Sequence, residues 1–389
     1  MKLLILYTKN RKEIFDKKSA LGSYINYLGN LLNSNEFEVY LNGETIDNSD
    51  GNKVKVLPSS KLAFLKKLIP TYVKRLIRES KHLNSLRLFK NELIDSNQKY
   101  DIILEYYNMG SDVGMELSKL QNIPYYIFYD GPIIDEYRIF NKSNPFFYDK
   151  IIKRQKDSFI HAQKIVAQSN PMKDYICKTI TNKKDDIYIH QNVDYTKFSI
   201  LKDEKIFNTD TIKICFIGSF LKWHQVDLLL FAFKHILDNG IQADLFLLGD
   251  GMEKNKMEKR VCDFPNHVKS KIKFTGFVTN QELLEYKKQM DIGVMSGSNW
   301  YGAPLKIFEY GAMKMGVIAP NTPTIKDLFP KNEVRFFEWK NQDSLNENLL
   351  DFCVNFDSVV ENSSVLHKKI MSKYSEENTI KFYLDFLKN

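Results

Sequence analysis

Short apolar runs of strand length alternate with helix-length amphipathic stretches from one end of this chain to the other, and the pattern starts afresh near residue 212. Alternation of this kind builds parallel sheets covered by helices on both faces. In the first half, strands are expected at 3–7, 37–41, 101–105, 125–129, 164–167 and 187–190. A loop carrying Ser19, Gly22 and Ser23 follows the first strand, and an apolar-periodic helix then runs to Leu32. In the second half, strands are expected at 212–217, 243–248, 272–274, 292–295 and 317–319, with a helix over 226–238 closed by Gly240. The polar stretch 199–211 lacks periodicity and reads as a linker. The expected organisation is therefore a first Rossmann-like domain over 1–198, a linker over 199–211, a second Rossmann-like domain over 212–372, and a C-terminal helix over 373–389. In that tail Ile380, Tyr383, Leu384 and Leu387 fall at helical spacing, which suits packing back on the first domain. Two doubly wound units place ligands at the carboxyl ends of their strands, in the cleft between them.

With 389 residues, 43% hydrophobic and 27% charged, the chain can form two cores of ordinary soluble type. Its net charge of +8 suits phosphate-bearing ligands or an anionic membrane surface. Nucleic acid is not expected as a partner, since there is no zinc pattern, basic tail or RNA-binding signature. The four cysteines, Cys177, Cys215, Cys262 and Cys353, have neither metal nor redox spacing and read as buried free thiols of a reducing compartment. The start, MKLLILYTKN, is too short in its apolar run for a signal peptide, and no run approaches the length that spans a bilayer. A cytoplasmic location is expected.

The chemistry concentrates in SGSNWYGAPLKIFEYGAMKMGVIA, from Ser296 to Ala319. Small residues Gly302 and Ala303 precede Pro304, which suits the first position of a helix. The unpaired amides of a helix start favour an anion. Lys306 lies in the first turn, and Glu309, three residues on, is expected on the same face. A phosphate on the helix end and Lys306, with a hydroxyl-rich group on Glu309, describes a sugar nucleotide. A plain solvated Lys–Glu pair is the competing reading of the helix taken alone.

This segment resembles the donor-site motif of family 4 glycosyltransferases (glycosyl transferases of group 1 type), which have the two-domain GT-B fold. In that family two Glu bracket the loop and helix start. The second binds the nucleotide ribose and matches Glu309; the first approaches the donor sugar and is replaced here by Tyr301. The form PLKIFEYGAM, with Pro304 and Leu305 ahead of Lys306, implies that Lys306 faces the diphosphate. The stretches IYIHQNVDYTKF, ICFIGSFLKWHQVDLLLFAF, ADLFLLGDGMEK and IKFTGFVTNQELLEYKKQMDIGVM resemble the rest of that family's second half in order and spacing. The resemblance implies further donor contacts at Gly218, Ser219, Lys222, His224, Gly251, Gly276 and Val278. Relatives place an Arg and a Lys after the first strand of this domain. Those positions fall at Ser219 and His224, with Lys222 the nearest cation, so Lys222 or His224 is the candidate replacement.

On the acceptor side the candidates are Gly22, Glu105 at a strand end, and Asp130 in YDGPIIDEYR, an acid placed to bind or deprotonate an acceptor hydroxyl. Asp130 also suits a plain turn before Gly131 and Pro132. His161 and His190 read as structural. No Asp-x-Asp stands where it would hold a metal on a diphosphate, so metal-independent chemistry with no cofactor beyond the nucleotide sugar is expected. The segment 61–90, from Lys61 to Lys90, carries nine Lys or Arg against the single Glu79. Past Pro70 it reads as a basic amphipathic helix suited to anionic lipid. The resemblance thus implies a retaining glycosyltransferase that extends a glycan or lipid-linked acceptor in bacterial surface polysaccharide synthesis. The substitutions at Tyr301 and Ser219 motivate the alternative of a catalytically weakened binding or scaffold subunit. A sugar-nucleotide epimerase would need more acids and histidines than the loop offers.

Overall fold

The computed structural model describes residues 1–9, 20–46, 70–191, 193–194, 201, 204–207, 210–330 and 332–388. Ser19, Asn192, residues 61–69 of the basic segment and part of the expected 199–211 linker lie outside them. The chain divides into two compact units. The first comprises Met1–Asp194 with Ile380–Asn389, and the second Tyr195–Thr379.

The first unit is a seven-stranded sheet of order β3-β2-β1-β4-β5-β6-β7. Its strands are β1 (Lys2–Tyr7), β2 (Glu38–Leu41), β3 (Glu44–Thr45), β4 (Ile102–Tyr106), β5 (Tyr125–Tyr129), β6 (Lys164–Ala167) and β7 (Ile187–Ile189). All pair in parallel except the antiparallel β2–β3 contact. The central strands are buried on both faces, which is why KLLILY, IILEY and YYIFY are nearly unbroken apolar runs. Helices α1 (Ala20–Asn33), α2 (Thr71–Asp95), α3 (Val113–Gln121), α4 (Ile133–Asn141), α5 (Tyr148–His161) and α6 (Asn170–Thr179) complete the unit. Strand β3 was not expected: its two residues, Glu44 and Thr45, are both exposed and carry no apolar signal.

The second unit is a six-stranded, wholly parallel sheet of order β10-β9-β8-β11-β12-β13. The strands are β8 (Ile212–Ile217), β9 (Ala243–Leu248), β10 (Ile272–Gly276), β11 (Ile292–Val294), β12 (Gly316–Pro320) and β13 (Arg335–Phe337). Its helices are α7 (Val226–Asp238), α8 (Lys254–Cys262), α9 (Asn266–Lys269), α10 (Asn280–Gln289), α11 (Leu305–Ala312), α12 (Pro323–Leu328), α13 (Gln342–Val354), α14 (Phe356–Lys373) and α15 (Glu376–Lys388). One face of the core joins Ile214, Phe216, Leu245 and Leu247 of the sheet to Leu229, Phe233 and Ile236 of α7. Edge strand β13, also unexpected, is three residues long and starts with an arginine.

The last residues of α15 belong to the first unit. Phe382 stacks on His190 at 4.2 Å, and Lys164 Nζ donates to the Phe386 carbonyl at 2.6 Å. His190 is therefore a packing residue, its ring nitrogen pushed down to a pKa of about 3 by burial. His161 is also structural: its Nε2 meets Ser118 Oγ at 3.1 Å. All four cysteines are free thiols. Cys215 and Cys353 are buried as expected, but Cys262 is exposed and Cys177 half-buried.

The second sheet reverses its order between β8 and β11, since β8 leads outward to β9 and β10 and β11 leads to β12 and β13. Strands β8 and β11 pair only at Ile292 with Ile214 and Gly293 with Cys215. Beyond that they part, and the Tyr310 hydroxyl bridges the gap, accepting from Ile217 N–H at 3.0 Å and donating to the Val294 carbonyl at 3.5 Å. A side chain at Gly293 would strike the Tyr310 ring at 2.4 Å, so glycine there is what admits the bridge. A crevice at such a switch point is the usual ligand site of open α/β sheets.

Candidate active site

Helix α11 starts beside that crevice, after the loop that follows β11. Pro304 is the residue before the helix (φ −84°, ψ 56°) rather than its first member, which corrects the expected start by one position. The helix end is also less open than expected. Leu305 N–H is turned back to the Ala303 carbonyl at 3.0 Å, and Ile307 N–H to the Pro304 carbonyl at 2.9 Å. The amides of Ala303 and Lys306 have no acceptor among the described residues, so these two remain for an anion.

Lys306 runs back from this turn to the end of β8. Its ammonium lies 5.4 Å from the centre of the Phe216 ring and 3.1 Å from His224 Nε2. Room for it exists because Gly218 has no side chain: a Cβ there would stand 2.8 Å from Lys306 Cε, and Gly218 has φ +138°. His224 Nδ1 lies 2.5 Å from the Ser219 carbonyl, an oxygen that can only accept. Nδ1 therefore carries the proton, and Nε2 accepts from Lys306. Burial, and then the neighbouring ammonium, lower the His224 pKa to about 4, so the ring is neutral at pH 7. Burial likewise lowers Lys306 to about 8, opposed by the charge of Glu309. Lys306 is thus held by a neutral partner, and no carboxylate among the described residues is in contact with its ammonium.

The short 3₁₀ turn Lys222–His224 is fixed from below. Ser296 Oγ donates to the His224 carbonyl at 2.7 Å, and a Cβ on Gly297 would strike the Trp223 carbonyl at 2.5 Å. Of the two candidate replacements, His224 reaches Lys306, whereas Lys222 is exposed. Ser219, also exposed, contributes its carbonyl through His224. Trp223, His224, Ser298, Asn299, Gly302 and Lys306 line a pocket of about 210 Å³ that Met295, Ala303 and Leu305 complete. Among the described residues no carboxylate lines it.

Glu309 does not share Lys306's surroundings, although the two are three residues apart. It pairs with Lys287 of α10 at 3.4 Å, with 28% of its side chain exposed. Tyr301 is 6% exposed, and Asn299 Nδ2 donates to its hydroxyl at 3.2 Å. An amide and a phenol therefore occupy the place of the carboxylate that the resemblance leads one to look for. Gly276 ends β10 and Val278 follows it, at the same sheet edge but outside the pocket lining. At Gly251 a Cβ would lie 2.6 Å from the Phe220 backbone nitrogen, so the turn itself requires glycine there.

The acceptor-side candidates all lie in the first unit. Glu105 is wholly buried and surrounded: Ser111 Oγ donates at 2.5 Å, Tyr125 Oη at 2.6 Å and Gly114 N–H at 3.2 Å. Burial raises its pKa despite these bonds. It is a structural acid, because its strand turns that side chain into the core. Gly22 lies within α1, not in a loop, and is buried. Asp130 keeps the expected place, exposed after β5, where Gln168 Nε2 donates to its carboxylate. Among the described residues no three His, Cys, Asp or Glu side chains cluster as metal ligands. Nor is any helix among them long and apolar enough to cross a membrane.

Sequence reasoning missed Phe216, Asn299 and Lys287. Phe216 is one of many apolar strand residues, and Asn299 one of several polar loop residues. Lys287 stands beside solvated Lys288, and only the turn of α10 tells them apart.

Residues 211–354, most of the second unit, match the family model of glycosyl transferases group 1. An uncharacterized glycosyltransferase of Methanocaldococcus jannaschii is 30% identical over 161 residues, which make up 40% of this chain and 40% of that protein. The match thus spans about two fifths of this curated relative. Among solved structures, a sucrose-phosphate synthase from Thermosynechococcus elongatus superposes with a TM-score of 0.74 at 14% identity, covering 99% of this chain and 97% of that one. HepE of Anabaena, solved with UDP and glucose, gives 0.67 at 12% identity over 99% and 98%. The fold is GT-B.

Proposed function

We propose that this chain is a glycosyltransferase that takes a sugar from a nucleoside-diphosphate sugar held at the α11 crevice. The observation that carries the reading is Lys306. A buried ammonium whose one hydrogen-bond partner among the described residues is a neutral imidazole, beside two amides with no acceptor among those residues at a sheet switch point, is a built receptor for a diphosphate. In this reading Lys306 and the amides of Ala303 and Lys306 stabilise the leaving diphosphate. Glu309 accepts from the ribose, and Gly276 with Val278 meets the base. His224 and Gly218 hold Lys306 in place, and Asn299 with Tyr301 contacts the sugar. HepE, solved with UDP, supports a uridine donor as the first to try.

Transfer proceeds with retention and without a metal, because a lysine and backbone amides supply the positive charge a metal would bring. The leaving phosphate is then available to take the acceptor's proton, and Asp130 orients the acceptor hydroxyl. The acceptor is a glycan or lipid-linked saccharide of a bacterial surface polysaccharide. Helix α2 supports a peripheral, cytoplasmic-face location. Tyr72, Leu76 and Ile77 are 62%, 37% and 42% exposed among exposed Lys74, Arg78 and Lys81, a composition that suits anionic lipid.

The test is thermal stabilisation by UDP, GDP, ADP, TDP and CMP and their sugar conjugates, followed by transfer assays with and without EDTA. One diphosphate should raise the melting temperature, and Asp130→Asn should slow transfer with that shift intact. No shift with any of them refutes the donor site. Binding without transfer or hydrolysis, on every acceptor tried, identifies a scaffold subunit instead.

A further inference from the structure

We propose that Lys287 is a positioning residue that fixes the Glu309 carboxylate for the ribose of a nucleoside diphosphate. The inference rests on the donor-site reading of Glu309 above and goes one layer behind it.

Lys287 lies in the last turn of α10 and is 3% exposed, while the next residue, Lys288, reaches solvent and pairs with Glu285. Helix α10 is held at its other end by a reciprocal cap, in which Thr279 and Glu282 bond each other's backbone N–H. A buried ammonium is costly without a partner. The partner here is Glu309, with Nζ 3.4 Å from Oε2. Glu309 Oε1 has no hydrogen bond among the described residues and is not a buried atom. Oε2 takes the ion pair with Lys287, and Oε1 is left without an ion pair or hydrogen bond among the described residues. A glutamate has three side-chain torsions to order before it can grip a diol. A lysine that orders them beforehand removes that cost from nucleotide binding. Lys306 cannot do this, because its ammonium is engaged with His224 and Phe216.

A mere tie between α10 and α11 would use the same contact, so the readout must report on the ribose. UDP, GDP and ADP are titrated calorimetrically, each beside its 2′,3′-dideoxy form, and the affinity ratio within a pair measures the grip on the diol. The wild type should prefer the ribose form by about tenfold or more, the worth of a hydrogen bond to a charged group. Lys287→Met should cut that preference at least about fivefold, with affinity for the dideoxy form changed less than about twofold. Lys287→Arg should restore most of it. Should Lys287→Met melt below the assay temperature, Lys287→Gln is judged by the same ratio. A preference unchanged or increased in the folded variants overturns the proposal. If Glu309→Gln abolishes the preference while Lys287→Met keeps it, this inference fails and the donor reading stands. A wild type that binds no nucleoside diphosphate, or binds one without preference, overturns both.

Discussion

Replacing Lys306 by methionine should make the free protein more stable and the nucleotide-bound protein less so. The side chain's pKa falls from 10.5 to about 8, chiefly through burial. At about 1.4 kcal/mol per unit, the charged form costs the folded state about 3 kcal/mol. Methionine keeps the stem over Phe216 but leaves His224 Nε2 without its donor, which costs back about 1–3 kcal/mol. The net gain is about 1 kcal/mol, or roughly 2–4 °C for a unit of this size. The folded pKa lies below the unfolded one, so the cost of the charge is fully present below pH 8. It is relieved as the pH rises toward 10.5. The margin of the variant over the wild type should therefore be widest below pH 8 and close above it. The same substitution removes a charge-assisted bond to the diphosphate and should weaken binding about 10- to 100-fold. Melting curves at several pH values, with and without the diphosphate chosen by the panel, measure both effects. A variant that melts lower than the wild type and is still stabilised by the nucleotide refutes the reasoning.

Affinity for a nucleoside diphosphate should be level from pH 6 to 8 and then fall up to about tenfold per pH unit as free Lys306 loses its proton; calorimetry across pH 6–10 checks this. His224, at about 4, should add no inflection in that range. Gly218→Ala puts a Cβ against Lys306 Cε at a φ of +138° and should cost about 1–3 kcal/mol in denaturant unfolding, with at least about tenfold weaker diphosphate binding. Glu105→Ala should destabilise by about 3 kcal/mol, since Tyr125, Ser111 and Gly114 lose their acceptor, and should leave diphosphate affinity unchanged. A stable Glu105→Ala protein that fails only in transfer would restore Glu105 as an acceptor residue.

The alternation of strands and helices, the restart at 212 and the loop-helix segment around Lys306 are all local patterns, and the sequence by itself determined them. Apolar runs such as KLLILY and ICFI can be buried only as central parallel strands. Pro304 and the small residues before it mark a helix start to within one position. Strands β3 and β13 escaped because two or three residues carry no period. Partnerships are a different matter, since they depend on rotamers and on elements far apart in the chain. Lys306 and Glu309 are neighbours on one helix, yet one reaches back to His224 and the other across to Lys287, 82 and 22 residues away. Glu105 ends its strand like a ligand residue, but the pleat turns it inward, where Tyr125 awaits it. Sequence could name Lys306 and Glu309 but not Lys287. Only the tertiary structure decided which charge is cancelled, which is buried, and which is left for a ligand, because burial and contact distance set the energy of a charge and neither is a local property.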